Sequence, residues 1–450
     1  MQRPTSVEEG ELGAIRKRLK DHGVDAIALS YVDNAGVART KSTPLERLPG
    51  IVKKGVGMSP VFDAFLFNDS ITASRHSGGP MGDLRLFPDL DTLTPVAGMP
   101  GWAWAAVDRY DQELNPHPNC SRLFAKRILD QLAGIDVTMQ MGFEIEWAVS
   151  ITGDDSFVPA TKSPAYGLSR IIDLSQYSRS VIANLVQSGL VIEQFHPEYA
   201  PSQFEISLPP AAPVTAADNA VLARAIIRAT GLSFGLRTSF APVVEVNGVG
   251  NGGHVHLSAQ RQGTPLLAGG DRPGRVTREG ESIVATLLEW LPSLLAIGAP
   301  SPASYLRLVP SHWAGAFRCW GIENREAALR LVMQSSLVAA QGANLEIKSF
   351  DQAANPYLVV GAVAGAVLEG LREIKTAAPP VEIDPAAKEG AERLPESLTA
   401  ALAALRSNAS LATLLGDPLL TAIIAVREAE LEHFQGMTPA RIVEETRWVY

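Results

Sequence analysis

The chain is poor in cysteine: two, Cys120 and Cys319, in 450 residues. That excludes a disulfide framework and a cysteine-based zinc site, and it points to a reducing compartment, the cytoplasm. Long apolar runs are also missing. The longest, "YLVVGAVAGAVL" at 357–368, is too short to span a bilayer and reads as a buried helix, so no membrane is expected. The start, "MQRPTSVEEGELG", lacks the apolar centre of a secretory signal. No basic block is present, and a net charge of −9 with a pI near 5.5 argues against nucleic acid as a partner. Apolar residues make up 46% and charged residues 19%, the balance of a globular chain. The length exceeds one simple core, so a large domain with a smaller one is expected.

Residues 7–22 read as a helix with a polar surface. "AIALSYVDNAGVARTKS" reads as two strands around a turn at Asp33–Gly36. Short strands and Gly/Pro loops alternate through 55–105. "NPHPNCS" (115–121) carries breakers and then a Ser suited to an N-cap before the helical run "RLFAKRILDQL". The domain boundary is placed there, giving parts at 1–115 and 116–450. The larger part mixes strands such as "GFEIEWAV", "QFEISL" and "GGHVHLS" with helices at 216–230 and 281–298. The tail, 397–433, reads as mostly helical.

An oddity recurs in four strand-like segments. In "MGFEIEW", Met141, Phe143, Ile145 and Trp147 take one face and Glu144 and Glu146 the other, roughly 7 Å apart along the strand. In "HPEYAPSQFEISL", Glu198 precedes a turn and Glu205 follows it, opposite Phe204 and Ile206. In "GNGGHVHLS", His254 and His256 share a face. In "NLEIKSF", Glu346 and Lys348 do. A wet sheet face explains any one of these acids. Solvent faces, however, mix polar types, and acids at four separate places fit that account less well. If the faces converge, the carboxylates repel one another unless cations lie between them. Carboxylate oxygens with at most one imidazole suit Mg²⁺ or Mn²⁺, two or three per site, better than zinc. Two such ions beside anionic substrates are the equipment of phosphoryl transfer. The cationic complement lies in "YLRLVPSHWAGAFRCWGIENREAALR" (305–330). There Arg307 precedes a Pro loop, and Arg325 and Arg330 flank an expected helix start at Glu323–Asn324. Arg suits bidentate recognition of carboxylate or phosphate, although salt-bridged surface positions explain each one singly. No Walker A sequence is present. The Gly-rich "NGVGNGG" (247–253) leads directly into His254.

Taken in order, these segments resemble the glutamine synthetase family of the bacterial type. "GFEIEW", "HPEYAPSQFEISL", "GNGGHVHLS", "SYLRLVP", "ENREAALR" and "LEIKSFDQAANPYL" resemble its successive motifs, and "LPESLTAAL" fits its tail. The resemblance implies an α+β fold: a small N-terminal β-grasp-like domain and a catalytic domain built on a curved antiparallel sheet flanked by helices. It implies active sites between neighbouring subunits of a homo-oligomer, usually two stacked hexameric rings. Carried over by position, Glu146, Glu198 and Glu205 hold one metal, and Glu144, His254 and Glu346 a second. Glu193, His256, Ser258, Arg325 and Arg330 fall where relatives contact ATP. Gly250, Arg307 and Lys348 fall where they contact glutamate. Arg307 and Arg325 act on the reacting groups, with an Asp from a neighbour's loop, Asp69 as first choice and Asp63 as second.

The departures bear on the amine. Ammonia-using members carry a Glu on the loop after "RLVP"; here "SHWAG" puts Trp313 in its place. Without that carboxylate an ammonium ion loses its charge-assisted partner, whereas Trp offers a cation–π face and an apolar wall to a substituted amine. A packed loop anchor is the plainer alternative. Lys348 replaces the usual Arg and supplies a less directional point charge. The glutamate-contacting Asn before the Gly loop is displaced; Asn247 and Asn251 lie off register. The expected activity is an ATP-dependent ligase that joins the γ-carboxylate of glutamate to an organic amine through a γ-glutamyl phosphate. The alternatives are ammonia-dependent glutamine synthetase and a non-catalytic structural relative, the latter disfavoured because all six metal-ligand positions are filled.

Overall fold

A computed structural model describes residues 8–79, 81–151, 153–333 and 343–450. The fold is α+β, with two sheets. The first joins β1 (Ala26–Val32), β2 (Ala38–Pro44), β3 (Val56–Met58), β4 (Leu84–Pro88), β5 (Thr94–Pro95) and β6 (Trp102–Tyr110) in the order β2-β1-β6-β4-β3, with β5 on β6. The expected turn at Asp33–Gly36 does connect β1 to β2. The helices Glu9–Asp21 and Leu48–Lys54 cover this sheet, and Leu19, Ile27, Leu29, Leu48 and Leu86 form its own small core.

The second sheet holds β7 (Val137–Ile151), β8 (Gln194–Pro197), β9 (Gln203–Ser207), β10 (Leu236–Ser239), β11 (Val255–Arg261), β12 (Thr264–Pro265), β13 (Phe317–Ile322), β14 (Ala327–Val332) and β15 (Asn344–Ile347). Its order is β13-β14-β15-β11-β7-β9-β8, with β10 on β7 and β12 on β11; only β13–β14 is parallel. The fifteen-residue β7 is the spine, pairing β11 over its first half and β9 and β10 over its second. Met141, Phe143, Ile145 and Trp147 are buried against the helices Pro213–Ser233 and Pro356–Arg372. That leaves the acids of β7 on the concave, polar side. The strand period of two and one-sided burial account for this division.

Two local expectations are corrected. "AALRLV" after Asn324 is β14, not a helix; its alternation places Arg330 on the polar face and Leu329 and Leu331 in the core. Ser121 is the first helical residue rather than the cap, which is Cys120. "YLVVGAVAGAVL" is indeed a helix buried along nearly its whole length, capped by Asn355, whose side chain accepts the Tyr357 and Leu358 N–H groups. Both cysteines are free. Among the described residues, the helix Arg278–Gly298 is long and apolar enough to cross a bilayer, as is the bent pair Leu398–Ser407 and Ala409–Leu415 taken together. The apolar stretch of Arg278–Gly298 is 78% buried inside the protein.

A buried ionic hub ties the first sheet to the helices Ser121–Ala133 and Pro213–Ser233. Arg122 donates to both carboxylate oxygens of Asp218 at 3.0 and 2.8 Å, to Asp108 of β6 at 2.9 Å and to Asp89 at 2.8 Å. Its fork satisfies three acids from separate elements, an arrangement Lys could not copy.

Candidate active site

Strand register alone assembles the site. Arg330 on β14 stands opposite Glu346 on β15, and Glu346 opposite His256 on β11. Glu144 and Glu146 follow on β7, the latter opposite Glu205 on β9, which in turn faces His196 on β8. One polar row therefore crosses six neighbouring strands. All six positions selected as metal ligands, Glu144, Glu146, Glu198, Glu205, His254 and Glu346, line a single cavity of about 650 Å³. Gly250, Arg307, Trp313, Arg325, Arg330 and Lys348 line it too.

Within it the acids form two groups. Glu144, His256 and Glu346 bring ligand atoms within 4.8 Å of one another, and so do His196, Glu198 and Glu205. His254 lies between the groups, its Nδ1 2.8 Å from Glu144 and 3.4 Å from Glu346, its Nε2 3.8 Å from Glu146. His256 is thus as close to the acids as His254, and His196 joins a group in which the sequence singled out only glutamates. His196 was legible: it lies on β8, which ends at Pro197, two residues before Glu198.

The charges record the crowding. Burial pushes the Glu146 carboxyl well above the ordinary range, and Glu205 and Glu198 push it further. Burial also lifts Glu205 to about 7, against the pull of a hydrogen bond from His196. Burial opposes ionisation of Glu144 as well, but hydrogen bonds from His254 and His256 hold it well below the usual value. Burial works the same way on Glu346, where Lys348 and the two imidazoles prevail and bring it to about 2. His196 rises to about 9 through its hydrogen bond to Glu205. Protons and imidazolium ions hold together a cluster whose negative charge exceeds what the nearby cations balance. A divalent ion relieves that excess, and the oxygen-rich donors fit Mg²⁺ or Mn²⁺.

The Gly-rich loop is fitted to this surface. A Cβ on Gly252 would lie 2.6 Å from His254 Nε2 and 2.7 Å from Glu146 Oε1. A Cβ on Gly250 would lie 2.6 Å from Arg307 Cγ. Gly252 N–H donates to Glu146 at 2.9 Å, and Gln203 donates to Glu146 at 2.7 Å and to the Gly250 carbonyl at 3.0 Å. Asn251, off register by sequence, is buried and donates to the Ala241 carbonyl at 2.8 Å. Gln203 escaped the sequence reading because an amide in a strand carries no signal of its own.

The cations differ in their commitments. Lys348 Nζ is 3.1 Å and Arg330 3.2 Å from Glu346, and Arg330 also pairs with Glu323 at 2.6 Å. Arg307 is buried and donates to the Lys348 and Phe350 carbonyls at 3.1 and 2.7 Å, while its Nε has no partner. Arg325 is exposed at the cavity wall. Glu193 and Ser258 line an adjoining cavity of about 530 Å³ that shares Glu144, Gln194 and His256 with the first.

Asp69 is not in the cavity. It lies on a loop of the first part, 70% exposed, paired with Arg39 at 2.5 Å. Asp63, the second choice, is buried and bound by Arg109 and His117 at 2.5 and 2.6 Å. At the mouth, Trp313 takes a positive φ of 53° and is 44% exposed. Glu326 accepts the Trp313 N–H at 2.8 Å, and Tyr199 meets the indole edge to face. Tyr166 donates to Glu198 at 2.7 Å. The sequence reading singled out none of Glu326, Tyr199 and Tyr166.

Two family models match the chain over most of its length. The model described as glutamine synthetase, catalytic domain, matches residues 118–444, and the glutamine synthetase N-terminal domain matches 14–117. The gamma-glutamylpolyamine synthetase GlnA3 of Streptomyces coelicolor is 47% identical, over 100% of this chain and 98% of its own. The glutamate–methylamine ligase of Methyloversatilis universalis is 28% identical, over 92% and 93%. A solved structure described as a novel glutamine synthase homolog superposes with a TM-score of 0.86 at 30% identity, covering 95% of this chain and 99% of its own.

Proposed function

The chain belongs to the glutamine synthetase family, and we propose that it is an ATP-dependent ligase joining the γ-carboxylate of glutamate to an organic amine, a polyamine foremost. The observation that carries the reading is the polar row across six strands, which opens at one end on exposed aromatic rings. The similarity to a gamma-glutamylpolyamine synthetase supports the same reading.

In this reading Glu146, Glu198, Glu205 and His196 hold one divalent ion, and Glu144, Glu346 and His254 another, with His256 beside them. The ions, Mg²⁺ or Mn²⁺, supply charge neutralisation for phosphoryl transfer. Glu193, His256 and Ser258 in the adjoining cavity receive ATP. Arg325 and Arg330 stand on the phosphate side, where a guanidinium matches oxyanions bidentately. Gly250, Arg307 and Lys348 orient glutamate. Its γ-carboxylate attacks the terminal phosphorus of ATP, ADP leaves, and an acyl phosphate forms. Trp313, Tyr199 and Tyr166 hold the amine at the mouth. A carboxylate, Asp69 of a neighbouring copy, takes the amine's proton; the nitrogen then attacks the acyl carbon and phosphate departs, leaving an amide. Asp69 from a neighbouring copy completes the site, in keeping with its exposure outside its own chain's cavity. Two stacked hexameric rings are the assembly we expect.

The test is phosphate release dependent on ATP and glutamate, measured across a panel of ammonia, monoamines and polyamines. Turnover with ammonia equal to that with every organic amine would identify an ordinary glutamine synthetase, and no turnover with any of them a non-catalytic relative.

A further inference from the structure

A second cavity, of about 390 Å³, lies between the first sheet and the helix Pro213–Ser233 and shares no lining residue with the catalytic one. Trp102, Trp104 and Val37 give it apolar walls. Arg224 and Arg228 enter it from consecutive turns of the helix, both stacked over Phe240, with guanidinium carbons 5.2 and 5.7 Å from the ring centroid.

These two guanidiniums stand apart from the rest. Every arginine among the buried residues, Arg109, Arg122, Arg170, Arg307 and Arg427, donates to a carboxylate or a carbonyl. Arg224 and Arg228 have no hydrogen bond and no ion pair among the described residues. The residues outside that set, 1–7, 80, 152 and 334–342, contain no Asp or Glu that could pair with them. Burial lowers the proton affinity of both; Arg228 lowers that of Arg224 further, against a weaker pull from Tyr450 and Asp351, and Arg237 lowers that of Arg228. Two like charges one helical turn apart in an apolar recess repel each other and are poorly solvated. An anion between them removes both penalties, and the guanidinium fork is shaped for an oxyanion.

We propose that this cavity binds a small organic oxyanion, a carboxylate or phosphate ester carrying a compact apolar or aromatic body. The two arginines grip the charged end and Trp102 and Trp104 enclose the body. The site lies outside the catalytic cavity, so it can be filled while glutamate and ATP are bound.

Titration calorimetry of the intact protein tests this, with benzoate, phenyl phosphate and the neutral benzyl alcohol as probes and saturating ATP and glutamate occupying the catalytic cavity. Benzoate or phenyl phosphate is expected to bind at least tenfold more tightly than benzyl alcohol. Whichever of the two binds more tightly distinguishes carboxylate from phosphate. R228Q is expected to weaken that binding tenfold or more, while R228K, which keeps the charge but not the fork, is expected to weaken it less than R228Q does. Equal binding of the alcohol, unchanged binding in R228Q, or no binding of either anion overturns the proposal. So does an experimental structure of the assembled protein in which a carboxylate of a second copy pairs with both guanidiniums.

Discussion

His196 Nε2 lies 3.3 Å from Glu205 Oε1, and its Nδ1 lies 3.3 Å from Glu198 Oε1, so one imidazole bridges two acids on adjoining strands. This bridge gives the metal-free protein a pH signature. The imidazole is raised from 6.5 to about 9 by its hydrogen bond to Glu205. A group raised on folding contributes fully below its unfolded value and loses that contribution as the pH climbs through the folded one. The chelated protein should therefore lose thermal stability between pH 6.5 and 9, and H196Q should flatten that slope. Adding Mg²⁺ or Mn²⁺ should raise the melting temperature and reduce the slope, because the ion replaces the imidazolium as counter-charge. Ligand linkage gives about 2.7 kcal/mol at a hundredfold excess over Kd. An equally steep slope in H196Q sinks this assignment.

Gly252 leaves no room for a side chain. Gly252→Ala drives a methyl group into His254 and Glu146, both buried and unable to retreat without leaving the site. We expect activity to fall by two orders of magnitude or more, a local misplacement effect, with the far-ultraviolet circular dichroism unchanged. Isothermal titration with Mn²⁺ should show weakened binding. Wild-type activity in this variant would mean that the loop yields freely.

Much of this site was legible in the sequence because strand periodicity is a strong signal. Glu144 and Glu146, His254 and His256, and Glu346 and Lys348 are each two residues apart, and each pair faces the cavity. The same rule, applied to "FHPE", would have added His196. The arginine segment was misread because "ENREAALR" is made of good helix formers, yet pairing with β15 overrides local propensity. Gln203, Tyr199 and Glu326 act through contacts between distant segments, which no local pattern announces. The hub at Arg122 is silent in the sequence for the same reason. So is the unpaired state of Arg224 and Arg228, since an arginine's partners are set by tertiary structure.

Tyrosine modification offers a simple negative test. Many bacterial relatives carry a Tyr that is nucleotidylated on a loop after "NPYL", and between Tyr357 and Tyr450 this chain has none. Those two bounding tyrosines are 1% and 2% exposed. Mass spectrometry after incubation with ATP and a competent adenylyltransferase should find no AMP adduct on either. An adduct there contradicts the burial.

Subunit complementation tests whether Asp69 serves a neighbour's cavity. D69N and E346Q should each be inactive as pure assemblies. In a randomly mixed oligomer, about one quarter of the sites pair an intact loop with an intact cavity, as head-to-tail interfaces require. Co-refolded D69N and E346Q should recover that share of wild-type turnover. No recovery, with mixed assemblies verified by native mass spectrometry, excludes a shared site.

The amine preference follows from the rings at the mouth. Tyr166, Tyr199 and Trp313 are three of the four exposed aromatic side chains among the described residues, and all three line the catalytic cavity. Trp313 and Tyr199 meet edge to face with centroids 5.6 Å apart. Ammonium is small and strongly hydrated, and its capture calls for an acid aimed at it; the family resemblance implies that Trp313 takes the place of that acid. A carbon tail recovers the loss by burial at about 0.8 kcal/mol per CH₂. An aromatic face adds about 0.5–2 kcal/mol for the cationic head. Organic amines should therefore exceed ammonia by tenfold or more in kcat/KM. Trp313→Ala and Tyr199→Ala should each raise the KM for the amine by about 2- to 30-fold, matching that cation–π range, with kcat changing less. Glu326→Gln keeps the Trp313 N–H contact and should have the smaller effect; Glu326→Ala frees the loop and should resemble Trp313→Ala. Trp313→Glu should shift preference toward ammonia. The measurement is initial-rate kinetics at saturating ATP and glutamate. If both aromatic deletions leave the amine KM unchanged, the amine is held elsewhere and the rings at the mouth serve only the loop.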